Sequence, residues 1–203
     1  MLSYDGAIMR ALSSMGNYCL LNLLWIIFSL PVITVFPATV AMFGILKEWK
    51  NGSEPPMLST FFSIFKKNIL KSSFIGVIQI VCSIIFIVDF QIIWNMEGNL
   101  KLILFPVLML LGFIFISTSL YLYPIMAKYD MPLKLLVKKA FFLSAARPFS
   151  PLMMIVIFVI MIFICTIARF LPFVCAFSIC GVINYRLVSS TIEKANKIAL
   201  KAK

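Results

Sequence analysis

The sequence predicts an all-α fold, a polytopic helical membrane protein with about five transmembrane helices and two cytoplasmic interfacial amphipathic helices. Three observations carry this reading. Of the 203 residues, 63% are hydrophobic and only 12% are charged, which leaves too little polar surface to cover a water-soluble globule. Uncharged runs long enough to cross hydrocarbon recur along the chain. The basic residues behind the formal net charge of +11 gather between those runs, where anionic lipid and the positive-inside rule account for them without nucleic acid. The whole chain, 1–203, is read as a single membrane domain.

Met1–Asn17 is a short mixed segment that fits a helix lying against the membrane. The central stretch follows at Asn22–Thr39, where an apolar run meets Pro31 and Pro37. Proline removes a backbone donor, and in lipid the freed carbonyls need protein partners. Residues 18–46 contain no charge and read as one proline-kinked span, which faces protein along Trp25, Ser29, Pro31, Thr34, Pro37 and Ala38. Two half-helices meeting at the prolines, a re-entrant form, are the alternative. A retained span is preferred to a signal peptide, because the preceding segment is hardly basic and no A-x-A site follows.

The segment 57–124 reads as an elbow helix and two spans. Leu58, Phe61, Phe62, Phe65 and Ile69 share one helical face, with Lys66 and Lys67 largely off it, as expected of an interfacial helix whose lysines reach the headgroups. A span over 74–94 ends at Trp94, a tight turn follows at 95–99, and a further span from Leu102 stops near Tyr121, Tyr123 and Pro124. Residues 131–190 repeat the plan. Leu133, Leu136, Val137, Ala140 and Phe141 line one face beside Lys138 and Lys139, and spans at 151–170 and 172–188 precede a basic tail at 193–203. The two units fit parallel repeats about an axis along the membrane normal, although the ordinary alternation of a polytopic chain gives the same pattern.

All basic residues but Arg10, Lys101 and Arg169 fall in the two long loops and the tail. With those regions cytoplasmic, the C-terminus is inside, and five spans put the N-terminus outside. A re-entrant first segment would put it inside.

Polar groups at membrane depth are few. Asp89 and Arg169 are expected at similar depth in the outer leaflet, where they can form an ion pair, and Asn22 shares that leaflet. Asn184 and Arg186, near the cytoplasmic end of the last span, either line a cavity or, for Arg186, reach lipid phosphate. The chain has no histidine, and its seven acids are dispersed, so the commonest general base and metal ligand are missing. No Walker A, G-x-S-x-G or H-E-x-x-H motif occurs. The five cysteines lie in apolar runs without a C-x-x-C pair and read as small buried hydrophobes. The expectation is a non-enzymatic protein with no catalytic residues, no cofactor and no metal.

The segments Leu2-Ser-Tyr-Asp-Gly6, Leu21-Asn-Leu-Leu-Trp25, Ser29-Leu-Pro-Val-Ile-Thr34, Pro37-Ala-Thr39 and Phe61-Phe62 with Phe65-Lys-Lys-Asn68 resemble the pattern of the YesL family of bacterial membrane proteins (domain of unknown function 624). The resemblance extends over essentially the whole chain and is most specific in the N-terminal part. Phe36 departs from it, standing where a glycine is expected. The resemblance implies a cell-membrane protein, in a family often found beside carbohydrate-uptake ABC transporters, and supplies no catalytic residue.

Three functions are therefore expected in order. The first is an accessory subunit of a transport complex, docking on a permease subunit or on itself. The second is a small transporter or channel acting as an oligomer. The third is a scaffold that reads anionic lipid through its basic faces.

Overall fold

The computed structural model describes residues 4–167 and 176–201, with side chains described over 15–167 and 176–196. Among the described residues the fold is all helical: α1 (Tyr4–Phe28), α2 (Val35–Lys50), α3 (Met57–Asn95), α4 (Asn99–Lys128), α5 (Leu133–Ala146), α6 (Phe149–Ile167) and α7 (Phe177–Lys201). Among the described residues, four stretches are long and apolar enough to cross a membrane: Val32–Lys50, Met57–Asn95, Asn99–Lys128 and Phe149–Ile167. This is the helical membrane architecture that composition predicts, with a count slightly below five.

The first segment differs from the single kinked span expected over 18–46. Pro31 is extended, with φ −75° and ψ 125°, and it ends α1. A single 3₁₀ turn at Val32–Thr34 follows, in which both the Thr34 amide (2.9 Å) and the Thr34 hydroxyl (2.7 Å) donate to the Pro31 carbonyl. Pro37 then falls in the first turn of α2, where the missing N–H would have had no intrahelical partner. The two prolines thus act as a stop and a start. The helices fold back on each other, with the Trp25 indole N–H donating to Thr39 Oγ1 at 3.1 Å and the Tyr18 and Trp49 rings in edge contact at 5.3 Å. The ends of the hairpin, near Tyr18 and Lys50, therefore lie together.

Helix α2 is the core of the fold. Nine of its residues, Pro37, Ala38 and Val40–Leu46, are buried, and it packs against α1, α3, α4 and α7. An apolar helix surrounded by others needs no polar face. Close approach to α3 requires Gly76, where a Cβ would stand 1.9 Å from the Phe36 ring. The ring of Phe36 is thus accommodated by a glycine on the neighbouring helix.

The elbow helix expected at the start of 57–124 is not a separate element. It is continuous with the span that follows, and α3 runs unbroken for 39 residues, about 58 Å at 1.5 Å per residue. Its amphipathic face is divided: Phe61 and Phe65 are buried against Phe28 of α1, while Leu58 and Phe62 are exposed beside Lys66 and Lys67. Helix α5 divides in the same way, with Leu136 and Ala140 buried and Val137 and Phe141 exposed beside Lys138. Unlike α3, α5 is broken from the next helix at Arg147–Pro148.

The turn between α3 and α4 uses Gly98 at φ +97°, a conformation that favours glycine. Lys101 closes it by donating from Nζ to the Trp94 carbonyl at 2.6 Å and lying 5.4 Å from the Trp94 ring centroid. At the opposite end, Lys67 and Lys71 hold Asp130 at 2.9 and 3.0 Å. Lys50 holds Glu193 at 2.5 Å, which ties the basic end of α2 to α7. The tail expected at 193–203 is helical as far as Lys201.

Candidate functional site

Between α1, α2, α3, α4, α6 and α7 lies a cavity of about 580 Å³. Its walls are mainly Phe36, Met42, Phe43, Phe115, Phe158 and Phe177, and none of its lining residues carries a formal charge. Ile84 of α3 and Ile116 of α4 line it and are also about half exposed. Its mouth therefore opens sideways, through the apolar faces of two long helices.

A chain of hydrogen bonds ties α3 to α4 along one wall. The Tyr123 hydroxyl donates to Gln79 Oε1, Gln79 Nε2 donates to Ser119 Oγ at 2.8 Å, and Ser119 Oγ donates to the Phe115 carbonyl at 2.9 Å. Ser83 returns its own hydroxyl to the Gln79 carbonyl at 2.8 Å. The sequence shows these residues as Gln79 and Ser83 on α3 and Ser119 and Tyr123 on α4, each pair four apart and hence on one helical face. Tyr123, near which the span from Leu102 is expected to stop, is half-buried within α4, its ring stacked 6.2 Å from that of Phe36.

The opposite wall is built from α1 and α7. Asn22 is fully buried on α1, and its Oδ1 accepts the first-turn amides of α7, Phe177 N–H at 3.1 Å and Ser178 N–H at 3.2 Å. A side-chain oxygen from another helix thus meets the first-turn amides of α7. The Trp25 and Phe177 rings meet beside this cap at 4.4 Å. Asn184, one turn beyond Gly181 on α7, lines the cavity with 5% exposure, and its Oδ1 has no hydrogen-bond partner.

Of the residues singled out in the sequence, Trp25 and Asn184 line the cavity, and Asn22 bonds to the start of α7 nearby. Arg186 is exposed and lies with Tyr18, Trp49 and Lys50 around a smaller pocket away from this cavity. Asp89 is partly buried on α3, and the ion pair expected with Arg169 lies outside the described residues. Pro37 and Ala38, expected to face a partner, are buried inside the chain, because α2 has helices on several sides. What the segment does expose is its tip: Leu30, Pro31, Val32 and Ile33, with Leu30 at 77% and Val32 at 71%. Ser29 Oγ, next to that tip, is shielded and without a hydrogen-bond partner. Lys139 lies 3.5 Å from the Tyr129 ring centroid and Lys138 5.9 Å from that of Phe142, so both lysines lie along aromatic surface.

Among the described residues no group of three or more His, Cys, Asp or Glu side chains could hold a metal ion. Two lysines hydrogen-bond Asp130, Lys67 foremost, and hold its carboxyl below the usual range. The hydrogen bond from Lys50 does the same for Glu193. Both carboxylates act as clasps at the basic end of the bundle.

Residues 18–90, which cover the hairpin and most of α3, match the family described as "Protein of unknown function, DUF624". The chain is 28% identical over 206 residues to the uncharacterized protein YteU of Bacillus subtilis, covering 97% of this chain and 91% of YteU. It is 33% identical over 138 residues to the uncharacterized protein YesL of the same organism, covering 66% of this chain and 65% of YesL. A third relative there, the uncharacterized protein YesV, is 27% identical over 134 residues, covering 64% of each chain. No solved structure matches the chain. The family match falls on the proline hairpin and the helix it packs against, and the chain is homologous to YesL, YteU and YesV.

Proposed function

We propose that the protein is a non-enzymatic accessory subunit of a membrane transport complex, docking through the tip of its proline hairpin. The supporting observation is the exposed apolar turn Leu30–Ile33 at the end of a hairpin whose α2 arm is held on several sides. A break between helices interrupts the regular backbone ladder, and at membrane depth such a turn is best placed against a protein neighbour. The partner that the YesL resemblance implies is the permease subunit of a carbohydrate ABC importer, with a second copy of the chain as the alternative. In this reading the basic end faces the cytoplasm. Because both ends of the hairpin lie together, the N-terminus is then cytoplasmic like the C-terminus, in place of the extracellular N-terminus that a single first span requires.

The transporter reading is weaker, since the cavity offers few hydrogen-bonding groups and a polyhydroxylated sugar would leave most of its hydroxyls unmet. A lipid scaffold is supported by Leu58, Phe62, Val137 and Phe141, exposed next to lysines. The deciding experiment is co-purification in a gentle detergent. Val32→Ser with Ile33→Ser should release the permease while leaving membrane insertion intact. An importer that purifies whole and transports normally in a strain lacking this protein would remove the accessory reading and leave the scaffold.

A further inference from the structure

We infer that the cavity between α1, α2, α3, α4, α6 and α7 is a binding site for an uncharged, lipid-like amphiphile that enters from the bilayer. It takes an apolar chain together with a hydroxyl- or amide-bearing head.

Size, wall, entrance and one unmet polar atom converge on this class. The volume, about 580 Å³, falls within the roughly 300–1,000 Å³ of small-molecule sites. The wall is apolar and aromatic with no formal charge, so a phosphate or ammonium head would lose its hydration without a counter-charge. The mouth, flanked by Ile84 and Ile116, opens where an acyl chain already lies. Asn184 Oδ1 is buried in the wall with no hydrogen-bond partner, although a buried amide is ordinarily paired. The oxygen is shielded where it stands, and turning the amide end for end lets it accept from, or its NH2 donate to, a ligand hydroxyl. Tyr123 and Gln79 face the same space with their mutual bond made, so the head has one preferred anchor. This inference is independent of the docking reading, because the cavity and the hairpin tip use different residues.

The test uses the full chain in nanodiscs with Trp49 and Trp94 replaced by phenylalanine, leaving Trp25 in the cavity wall as the only tryptophan. Dibrominated mono-oleoylglycerol, whose bromines quench indole on contact, is the probe, and dibrominated phosphatidylglycerol is the control. Saturable quenching by the monoacylglycerol is expected. Asn184→Ala should weaken it about two- to tenfold, the loss of one neutral hydrogen bond. Ser83→Phe, which fills the cavity from α3 and sacrifices only a bond to its own helix, should abolish it. The indole emission maximum without probe reports whether each variant keeps the fold around Trp25. Quenching by phosphatidylglycerol at equal or lower concentration would overturn the inference. So would quenching unchanged by both variants, which marks ordinary lipid at the protein surface.

Discussion

Asn22 caps Ser178: a buried amide on the first helix accepts the first-turn N–H of the last, 156 residues away in the chain. The bond joins the hairpin to α7 and fixes one wall of the cavity. Asn22→Leu, nearly equal in volume, should lower stability by about 1–3 kcal/mol, since it leaves buried amides unmet and removes a cap. Thermal unfolding in detergent, followed by circular dichroism, measures it. A melting temperature equal to that of the parent would show that the cap adds nothing.

The contact between Phe36 and Gly76 makes a second prediction. A methyl group at position 76 would collide with the ring, so Gly76→Ala alone should cost about 1–3 kcal/mol through overpacking. Adding Phe36→Ala should recover part of that loss, because the two positions share one space. Strictly additive losses in the double-mutant cycle would mean that the ring moves away freely.

The clasp at Asp130 sets a pH dependence. Its folded carboxyl titrates below the unfolded value, near 3.9. Its contribution is therefore present above about pH 4 and is lost as pH falls through the lower, folded value. Asp130→Asn should reduce stability slightly at neutral pH, less so in high salt because all three side chains are largely exposed. In strong acid the variant and parent should become indistinguishable. A deficit that persists there would assign the effect to packing.

Topology gives the fourth prediction. In a background free of cysteine, Lys101→Cys should react with an impermeant maleimide from outside intact cells. Lys66→Cys, Lys138→Cys and Met15→Cys should react only after permeabilisation. Surface labelling of Met15→Cys together with Lys101→Cys would restore a single first span.

These predictions rest on features that were unequally legible in the sequence. Phe61, Phe65, Leu136 and Ala140 fall at helical spacing beside lysines and are buried within the chain, while Leu58, Phe62, Val137 and Phe141 of the same expected interfacial faces stay exposed. Pro31 and Pro37 were visible as a break, but the same pair serves a kink within one helix or a stop and start between two. The meetings of Tyr18 with Trp49 and of Trp25 with Thr39 separate these cases, and local propensity carries no trace of them. The Gln79–Ser119 bond was hidden for a related reason. An uncharged polar residue in an apolar run signals a buried partner, yet nothing local says which helix supplies it. Asn22 stood out as polar at depth, while its role as a cap depends on the path of α7.

The unbroken course of α3 has a mechanical consequence. With no hinge between Met57 and Asn95, the part that carries Lys66 at the membrane surface cannot pivot separately from the part that carries Gln79 and Ser83. Helix α3 is a lever: a tilt imposed at its basic end is delivered, undiminished, to the cavity wall. Helices α5 and α6, parted at Arg147–Pro148, absorb the same push at their joint. Two segments that look alike in sequence thus differ in continuity: both reach the cavity, α3 through Gln79 and Ser83 and α6 through Phe158, but only α3 does so without a joint.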